Sequence, residues 1–398
     1  MLLGAMRICH ASTFWPNRFG HTHYTDALIA GMREHQPEQH LLAAEHGSDP
    51  LDTPAIRCVP CFSRAEDYVE PLCSTIRSMA ADVVILQYTD DLWGHDNRIV
   101  ELLRRLRELG VATVVNTHSV YGQTYRRGYR PGRNAAALDR ALAREASAMM
   151  VHSDCMRQDL LERGVAPEKI AVIPHGSRSM EQRDPQQSRR ELGLDPLGRV
   201  VLFFGFIWLG KGLEFLFKVF SRVLQRVPDA QLYIGGYTSQ KVFYARIYME
   251  YLRARQHWLG IARRTRQWGD YVPDEMVPTI YAAADVVAMS YRQSYSSVSG
   301  VVHQTAGTGK LMLCSRIPKF SEVEQRISRH LVVEQNDLHG WVEGLVRLLT
   351  DEGFAADMRA RILRFADETS WVNTGKMHLD LCQGLLAGRS AAESLGQG

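Results

Sequence analysis

The chain has 398 residues, a length that suits two domains of ordinary size rather than one. Apolar residues make up 45% and charged residues 23%, which excludes disorder by composition. A formal net charge of +3 is too mild to argue for nucleic acid, where a clustered basic face is expected, but it suits an enzyme handling anionic phosphates. Short apolar runs then alternate with longer amphipathic segments, the βαβ pattern of parallel sheets. Arg7 to Ala11 predicts a first strand and Tyr24 to Met32 the helix after it. Asp82 to Gln87 predicts a buried strand. From Asn97 to Leu109, the residues Ile99, Leu102, Leu103, Leu106 and Leu109 share one helical face. Val111 to Asn116 is the next strand, ending at His118. Ala148 to His152 is another, followed by a helix through Arg163 that stops at Gly164 with Pro167 beyond. Ala171 to Pro174 closes this half.

The polar stretch from Ser179 to Leu197, with two prolines, predicts a linker. A second alternation follows: strand Val200 to Phe204, helix Leu213 to Val227, strand Gln231 to Gly235. After a basic helical stretch come strand Asp285 to Ser290, helix Ser299 to Thr308 and strand Leu311 to Ser315. Two doubly wound halves place a ligand in the cleft between the strand C-terminal ends. The seven cysteines, Cys9, Cys58, Cys61, Cys73, Cys155, Cys314 and Cys382, are scattered and odd in number, so they read as reduced cytosolic thiols. Cys58-Val59-Pro60-Cys61 is a lone CxxC without the second pair or histidines that a zinc site needs. Met1 to Met6 lacks the pattern of a signal peptide, and the longest apolar run, Val200 to Leu209, is far short of the ~18 residues of a spanning helix. The expectation is a cytoplasmic protein, with a peripheral place on the inner membrane face as the alternative.

Several segments carry a family pattern in order. FWPNRFGHTHYTDAL opens the chain, HSDCMRQDLLERGVAPEKIAVIPHGS covers His152 to Ser177, and VVLFFGFIWLGKGLEFLFKVFSRVLQRVPDAQLYIGG covers Val200 to Gly236. GDYVPDEMVPTIYAAADVVAMSY spans Gly269 to Tyr291, SYSSVSGVVHQTAGTGKLMLCS spans Ser294 to Ser315, and TSWVNTGKMHLDLCQGLL closes the chain from Thr369 to Leu386. Over nearly its whole length the sequence resembles the family-4-type retaining glycosyltransferases of the GT-B fold. The resemblance implies an α/β protein of two facing Rossmann-like, doubly wound domains with an interdomain cleft. Residues 1–182 would bind the acceptor, 183–370 the nucleotide sugar, and 371–398 would form a helix crossing back to the first domain.

The resemblance also assigns roles. Gly20 and His21 stand in the loop whose two glycines lie against the donor phosphate, with His21 in place of the second. In the second domain the family grips the pyrophosphate with an arginine and a lysine. Lys211, followed by Gly212, is in place near Gly205, but Phe206 stands where the arginine belongs, leaving Lys211 as the evident side-chain cation. Gly205 and Gly210-Lys211 also have Walker A spacing, yet Gly212 replaces the magnesium-binding hydroxyl and bulky residues fill the loop. The family's Glu-x7-Glu falls on Ser296 and Gln304, so both carboxylates are absent and the chain resembles a divergent branch. Amides of Ser299, Gly300 and Val301 at a helix N-terminus can still meet donor phosphates. Gln304 can still bond a ribose hydroxyl, because an amide both donates and accepts. His118 ends a parallel strand at the ligand edge, where family members commonly hold the donor sugar.

The implied reaction is transfer of a hexosyl group from a nucleoside diphosphate sugar to the hydroxyl of a saccharide, lipid-linked or small-molecule acceptor, with retention, in glycan, polysaccharide or glycoconjugate biosynthesis. His118 and Lys211 carry the chemistry, and no metal or other cofactor is expected, because no carboxylate cluster argues for Mg²⁺. One alternative is a catalytically impaired GT-B protein that binds sugar nucleotide or a partner enzyme; another is a nucleotide-sugar epimerase. Two arginine clusters remain. One is Arg126, Arg127, Arg130 and Arg133; the other is Arg253, Arg255, Arg263, Arg264 and Arg266, interleaved with Trp258, Leu259, Ile261 and Trp268. They read either as solvated surface or as an acceptor or anionic-lipid surface.

Overall fold

The computed structural model describes residues 6–17, 20–36, 38–93, 97–120, 135–238, 243–269, 271–292 and 295–395. The first arginine cluster, Arg126 to Arg133, lies outside them. The chain divides into two compact units. The first comprises Met1–Gly176, Tyr295–Val298 and Trp371–Gly398; the second comprises Ser177–Ser294 and Ser299–Ser370. The division thus follows Gly176 rather than residue 182, and the short segment Tyr295–Val298 groups with the first unit.

In the first unit the strands are β1 (Ile8–Ser12), β2 (His40–Glu45), β3 (Leu51–Asp52), β4 (Ile56–Phe62), β5 (Val83–Tyr88), β6 (Ala112–Thr117), β7 (Ser119–Val120), β8 (Ala148–Val151) and β9 (Ile170–Val172). The helices are α1 (Gly20–Arg33), α2 (Val69–Ser78), α3 (Asp90–Trp93), α4 (Arg98–Glu108), α5 (Ala135–Glu145) and α6 (Asp154–Glu162). Eight of the strands form one sheet in the order β3-β4-β2-β1-β5-β6-β8-β9, antiparallel only at the β3 edge. Side chains alternate between its faces. Val83 and Ile85 of β5 pack towards α1, whereas Val84 and Leu86 pack towards α2 and α4. Burial on both faces is why these strands read as continuous apolar runs. Helix α14 (Trp371–Leu395) returns to this unit and crosses α1.

The second unit is built from α7 (Pro185–Glu191), β10 (Arg199–Phe204), α8 (Leu213–Arg226), β11 (Ala230–Gly235), α9 (Phe243–Trp258), β12 (Thr265–Gln267), α10 (Val277–Ala283), β13 (Val286–Met289), α11 (Gly300–Gly307), β15 (Leu311–Ser315), β16 (Val332–Val333), α12 (Leu338–Thr350) and α13 (Glu352–Glu368). The two-residue strand β14 (Ser296–Ser297) interrupts this run and belongs to the first unit. The sheet is parallel throughout, in the order β12-β11-β10-β13-β15-β16. Both sheets are therefore doubly wound. The connections reverse direction beside β1 in the first unit, between β1 and β5, and beside β10 in the second, between β10 and β13. Crevices at such reversals, beyond the strand C-terminal ends, are where open α/β sheets take ligands.

The stretch expected as a linker, Ser179 to Leu197, contains a helix. Asp184 caps α7 by accepting from the Gln187 amide at 2.6 Å, and Pro185 stands in the first turn, where its missing N–H costs nothing. Arg189 then ties α7 to the sheet through both carboxylate oxygens of Asp285, each at 2.9 Å. Asp285 also accepts from the Val200 amide at 2.7 Å, so this acidic residue of the Tyr-x-x-Ala-Asp pattern works as a structural staple. Among the described residues no helix is long and apolar enough to cross a membrane.

Candidate functional site

In the second unit, Gly205 follows β10 with φ 106°, and its amide donates to Gly235 at 3.0 Å. The chain then enters a single 3-10 turn, Leu209–Lys211, and Gly212 follows at φ 64°. A Cβ on Gly212 would lie 2.0 Å from the Ser290 carbonyl oxygen, so both dihedral and close approach demand glycine. The Ser290 hydroxyl donates to the Gly212 carbonyl at 3.1 Å, fastening the turn after β10 to the turn after β13. This arrangement sets the half-buried Lys211 with Nζ 3.7 Å from the centroid of the Tyr291 ring, a cation–π contact. Burial, and then the charge of Lys319, holds the Lys211 ammonium well below its usual range.

Helix α11 begins beside this turn. Ser299 is its buried N-cap and makes no side-chain cap bond, so Gly300 and Val301 start the helix without one. Val301 Cγ2 would be 3.7 Å from a Cβ on Gly205, which puts the helix start against the Gly205 turn. One turn along, the Gln304 Oε1 accepts from the Tyr281 hydroxyl at 3.3 Å. Gly205, Lys211, Ser299, Gly300, Val301 and Gln304 therefore gather at one end of this sheet. Phe206, in the arginine position, is 51% exposed and packs at 5.2 Å on Tyr237, which in turn meets Tyr271 at 5.3 Å.

Ser296 belongs to the first unit. It lies in β14, which pairs antiparallel with β7 of the first unit, Ser296 opposite Val120. It is buried, and its hydroxyl lies 3.3 Å from Cys155 Sγ. The short segment Tyr295–Val298 groups with the first unit, which residue spacing does not reveal.

In the first unit, His118 follows β6, and its Nε2 lies 2.8 Å from Gln87 Oε1. The same oxygen accepts from Asn116 Nδ2 at 2.9 Å, so it faces two donors and His118 carries its proton on Nε2. Around the imidazole stand Tyr24 at 4.7 Å, His152 at 5.2 Å and His21 at 5.3 Å between ring centres. Gly20 and His21 are the first residues of α1, so the structure brings His21 and His118 together. Burial, then the neighbouring His152, His21, His175 and His378, holds His118 well below the usual imidazole range; it is neutral.

Three further features were not legible in the sequence. Lys319 stands on the short turn Pro318–Phe320 after β15, and it acts electrostatically on Lys211. Tyr291 is fully buried beneath Lys211. His303 of α11 is buried, with Nδ1 3.0 Å from Ser177 Oγ and Nε2 3.1 Å from Glu322 Oε1, while Ser177 Oγ lies 2.8 Å from Thr369 Oγ1. Lone lysines and histidines outside any motif have no distinguishing spacing. Of the second arginine cluster, Arg253 and Arg255 lie on α9, where Ile247, Tyr251 and Trp258 are exposed and Arg255 lies 4.8 Å over the Trp258 ring, whereas Arg263 and Arg264 lie on the turn after it and Arg266 in β12. Cys58 and Cys61 are free thiols of β4, and burial raises both, Cys58 to about 12. No group of three or more metal-ligating side chains occurs among the described residues.

Two family models match the chain: "Glycosyl transferase 4-like domain" over residues 19–176 and "Glycosyl transferases group 1" over residues 198–351. A D-inositol 3-phosphate glycosyltransferase of Corynebacterium diphtheriae is 28% identical over 271 residues, covering 66% of this chain and 60% of that protein. The same enzyme from Corynebacterium glutamicum is 25% identical, covering 69% and 66%. The chain thus aligns with three fifths to two thirds of the length of these curated relatives. Among solved structures, Anabaena HepE in complex with UDP has a TM-score of 0.73 at 15% identity, covering 95% of this chain and 100% of that one. Sucrose-phosphate synthase from Thermosynechococcus elongatus has a TM-score of 0.75 at 15% identity, covering 96% and 100%. Two Rossmann-like α/β domains with parallel sheets, matching these neighbours, define the GT-B class. Within that class the two family models span most of the chain in the correct order, and the protein belongs to the family-4-type glycosyltransferases.

Proposed function

We propose that the protein transfers a hexosyl group from a nucleoside diphosphate sugar to an acceptor hydroxyl, with retention at the anomeric carbon. The observation that carries this reading is the convergence of Lys211, the Gly205 turn and the uncapped start of α11 at one sheet end. Oriented amides and a desolvated ammonium suit a diphosphate, and they oppose negative charge without a metal. As the bond from the anomeric carbon to the phosphate oxygen breaks, its electron pair leaves with that oxygen, so charge grows where Lys211 stands. The departing phosphate oxygen takes the proton of the incoming hydroxyl. His118 holds the donor sugar: with Nε2 committed to Gln87, Nδ1 is left to accept from a sugar hydroxyl. Gln304 bonds the ribose. The exposed basic and aromatic face of α9 is the surface that would meet anionic lipid if the acceptor is lipid-linked.

The experiment begins with a thermal-shift panel of nucleoside diphosphate sugars, since a ligand that binds only the folded state raises the melting temperature. UDP-sugars come first, because HepE is found with UDP, and D-inositol 3-phosphate is the first acceptor, because the relatives are named for it. With the donor so identified, Lys211→Ala is expected to lower turnover by on the order of 10²-fold or more, with a smaller loss of donor affinity. Lys211→Arg should restore it only in part. Wild-type turnover in a folded Lys211→Ala protein would reject the site. The absence of both glutamates motivates a second reading, a protein that binds donor without transferring. Donor binding with neither hydrolysis nor transfer to any acceptor would favour it.

A further inference from the structure

The position expected to hold the second phosphate-facing cation carries Phe206, an exposed aromatic ring. A site that stabilises a departing diphosphate with one side-chain cation is short of charge. Strand β13 lies between β10 and β15 in the sheet, so the turns after these three strands are neighbours at one sheet end. The turn after β13 carries Tyr291. One side of its ring bears the Lys211 ammonium, 3.7 Å from the centroid, and Phe320 packs on the same ring at 5.2 Å. Lys319 immediately precedes Phe320 on the turn after β15. Lys211 thus stands over one buried ring, and Lys319 precedes the phenylalanine that packs on the same ring.

We propose that Lys319 is the second cation of the diphosphate site, standing in for the arginine that Phe206 displaces, and that the Tyr291 hydroxyl donates to the same anion. This rests on the reading of the second unit as the donor-binding one. Three observations support it. The Tyr291 side chain is fully buried, and its hydroxyl lies at the start of α11, within hydrogen-bonding reach of the Ser299 side chain. Ser299, the N-cap of α11, makes no cap bond of its own, so the amides of the helix start beside that hydroxyl remain for an anion. Finally, burial pushes the Lys319 ammonium down to about 8, against the opposing pull of Glu322, and Lys319 in turn depresses Lys211. The carboxylate of Glu322 is shared with His303, 3.1 Å away. A doubly charged anion beside the two lysines would favour the charged form of both.

Calorimetric binding of UDP, GDP, ADP and uridine to the full chain tests this. Lys319→Met should weaken binding of the preferred diphosphate by on the order of 10-fold or more, as expected for a lost hydrogen bond to a charged group. Uridine, which lacks the phosphates, should bind the variant and the wild type alike if UDP is preferred; for GDP or ADP the matching nucleoside takes its place. Lys319→Arg should recover most of the loss, because it restores charge, and Lys319→Gln serves as a second neutral variant. Tyr291→Phe should weaken the diphosphate by about 3-fold, the scale of one modest hydrogen bond. Melting temperatures of the neutral variants should equal or exceed that of the wild type, since a desolvated charge has been removed. An unchanged diphosphate affinity in Lys319→Met, or an equal loss for diphosphate and nucleoside, overturns the role of Lys319 while leaving the donor site standing. Failure of all three diphosphates to bind the wild type overturns the donor site, and this proposal with it.

Discussion

The tautomer of His118 is set by a neighbour two strands' worth of sequence away. Gln87 ends β5, accepts from both Asn116 and His118, and so fixes which imidazole nitrogen bears the proton. Burial, and then the surrounding histidines, hold the ionisation of His118 well below the usual imidazole range. Gln87→Leu should leave two buried donors without a partner and cost about 10-fold in kcat, with KM little changed. Gln87→Glu is the sharper test. A carboxylate beside Nε2 favours the imidazolium, so the acid limb of the kcat profile should move to higher pH. A role limited to packing would lower protein stability without moving that limb. Lys211 depends in the same way on Gly212, whose φ of 64° and close approach to Ser290 leave no room for a side chain.

Helices α1 and α14 approach closely because each presents a glycine at the crossing. A Cβ on Gly31 would sit 2.0 Å from the Trp371 carbonyl oxygen, and one on Gly375 would sit 2.5 Å from the Gly31 carbonyl carbon. Gly31→Ala should therefore destabilise the first unit by about 1–3 kcal/mol, the usual cost of overpacking, read from urea unfolding. Adding Gly375→Ala should cost less than the sum, because both substitutions press on one contact. This crossing shows what a sequence withholds: the Ser-Trp ending and the glycines are visible, but nothing in their spacing says that they meet. The inner strands were legible, since VVILQY and RVVLFF are apolar runs buried on both faces. Strands β4, β12 and β16 were not, because β4 is broken by Arg57 and Pro60 and the other two are only two or three residues long near the sheet edge. Pro185 misled in another way: read as a breaker, it opens a helix. For the candidate site, the Gly205 turn, Lys211 and the α11 start followed from motif order, while Lys319 and Tyr291 depend on which strands are neighbours.

The two units differ in the titratable groups they bury, and this gives the whole molecule a pH dependence that one domain alone would lack. In the first unit, His40 and His378 are both lowered to about 4, chiefly by burial, and His10 and His118 are lowered as well. An imidazole whose folded pKa is depressed takes up its proton more readily when unfolded. Stability is then fully present above the unfolded value of about 6.5 and is lost as pH falls towards 4. Across that window His40 and His378 together represent a loss on the order of several kcal/mol, before His10 and His118 add to it. In the second unit, the depressed groups are lysines: Lys310 and Lys319 lie at about 8, lowered mainly by burial, and Lys211 is held well below its usual range. The same sign applies in a different window. The unfolded lysines hold protons to about 10.4, so this unit gains stability as pH rises from 8 towards that value. Differential scanning calorimetry at pH 5, 7 and 9 should show two transitions whose separation changes with pH. The transition of the first unit should fall in temperature from pH 7 to pH 5, while that of the second unit should rise from pH 7 to pH 9. His40→Gln, which removes one titrating group, should blunt the acid shift of the first transition and leave the alkaline rise of the second untouched. A single transition moving in parallel at all three values would show that the units unfold as one.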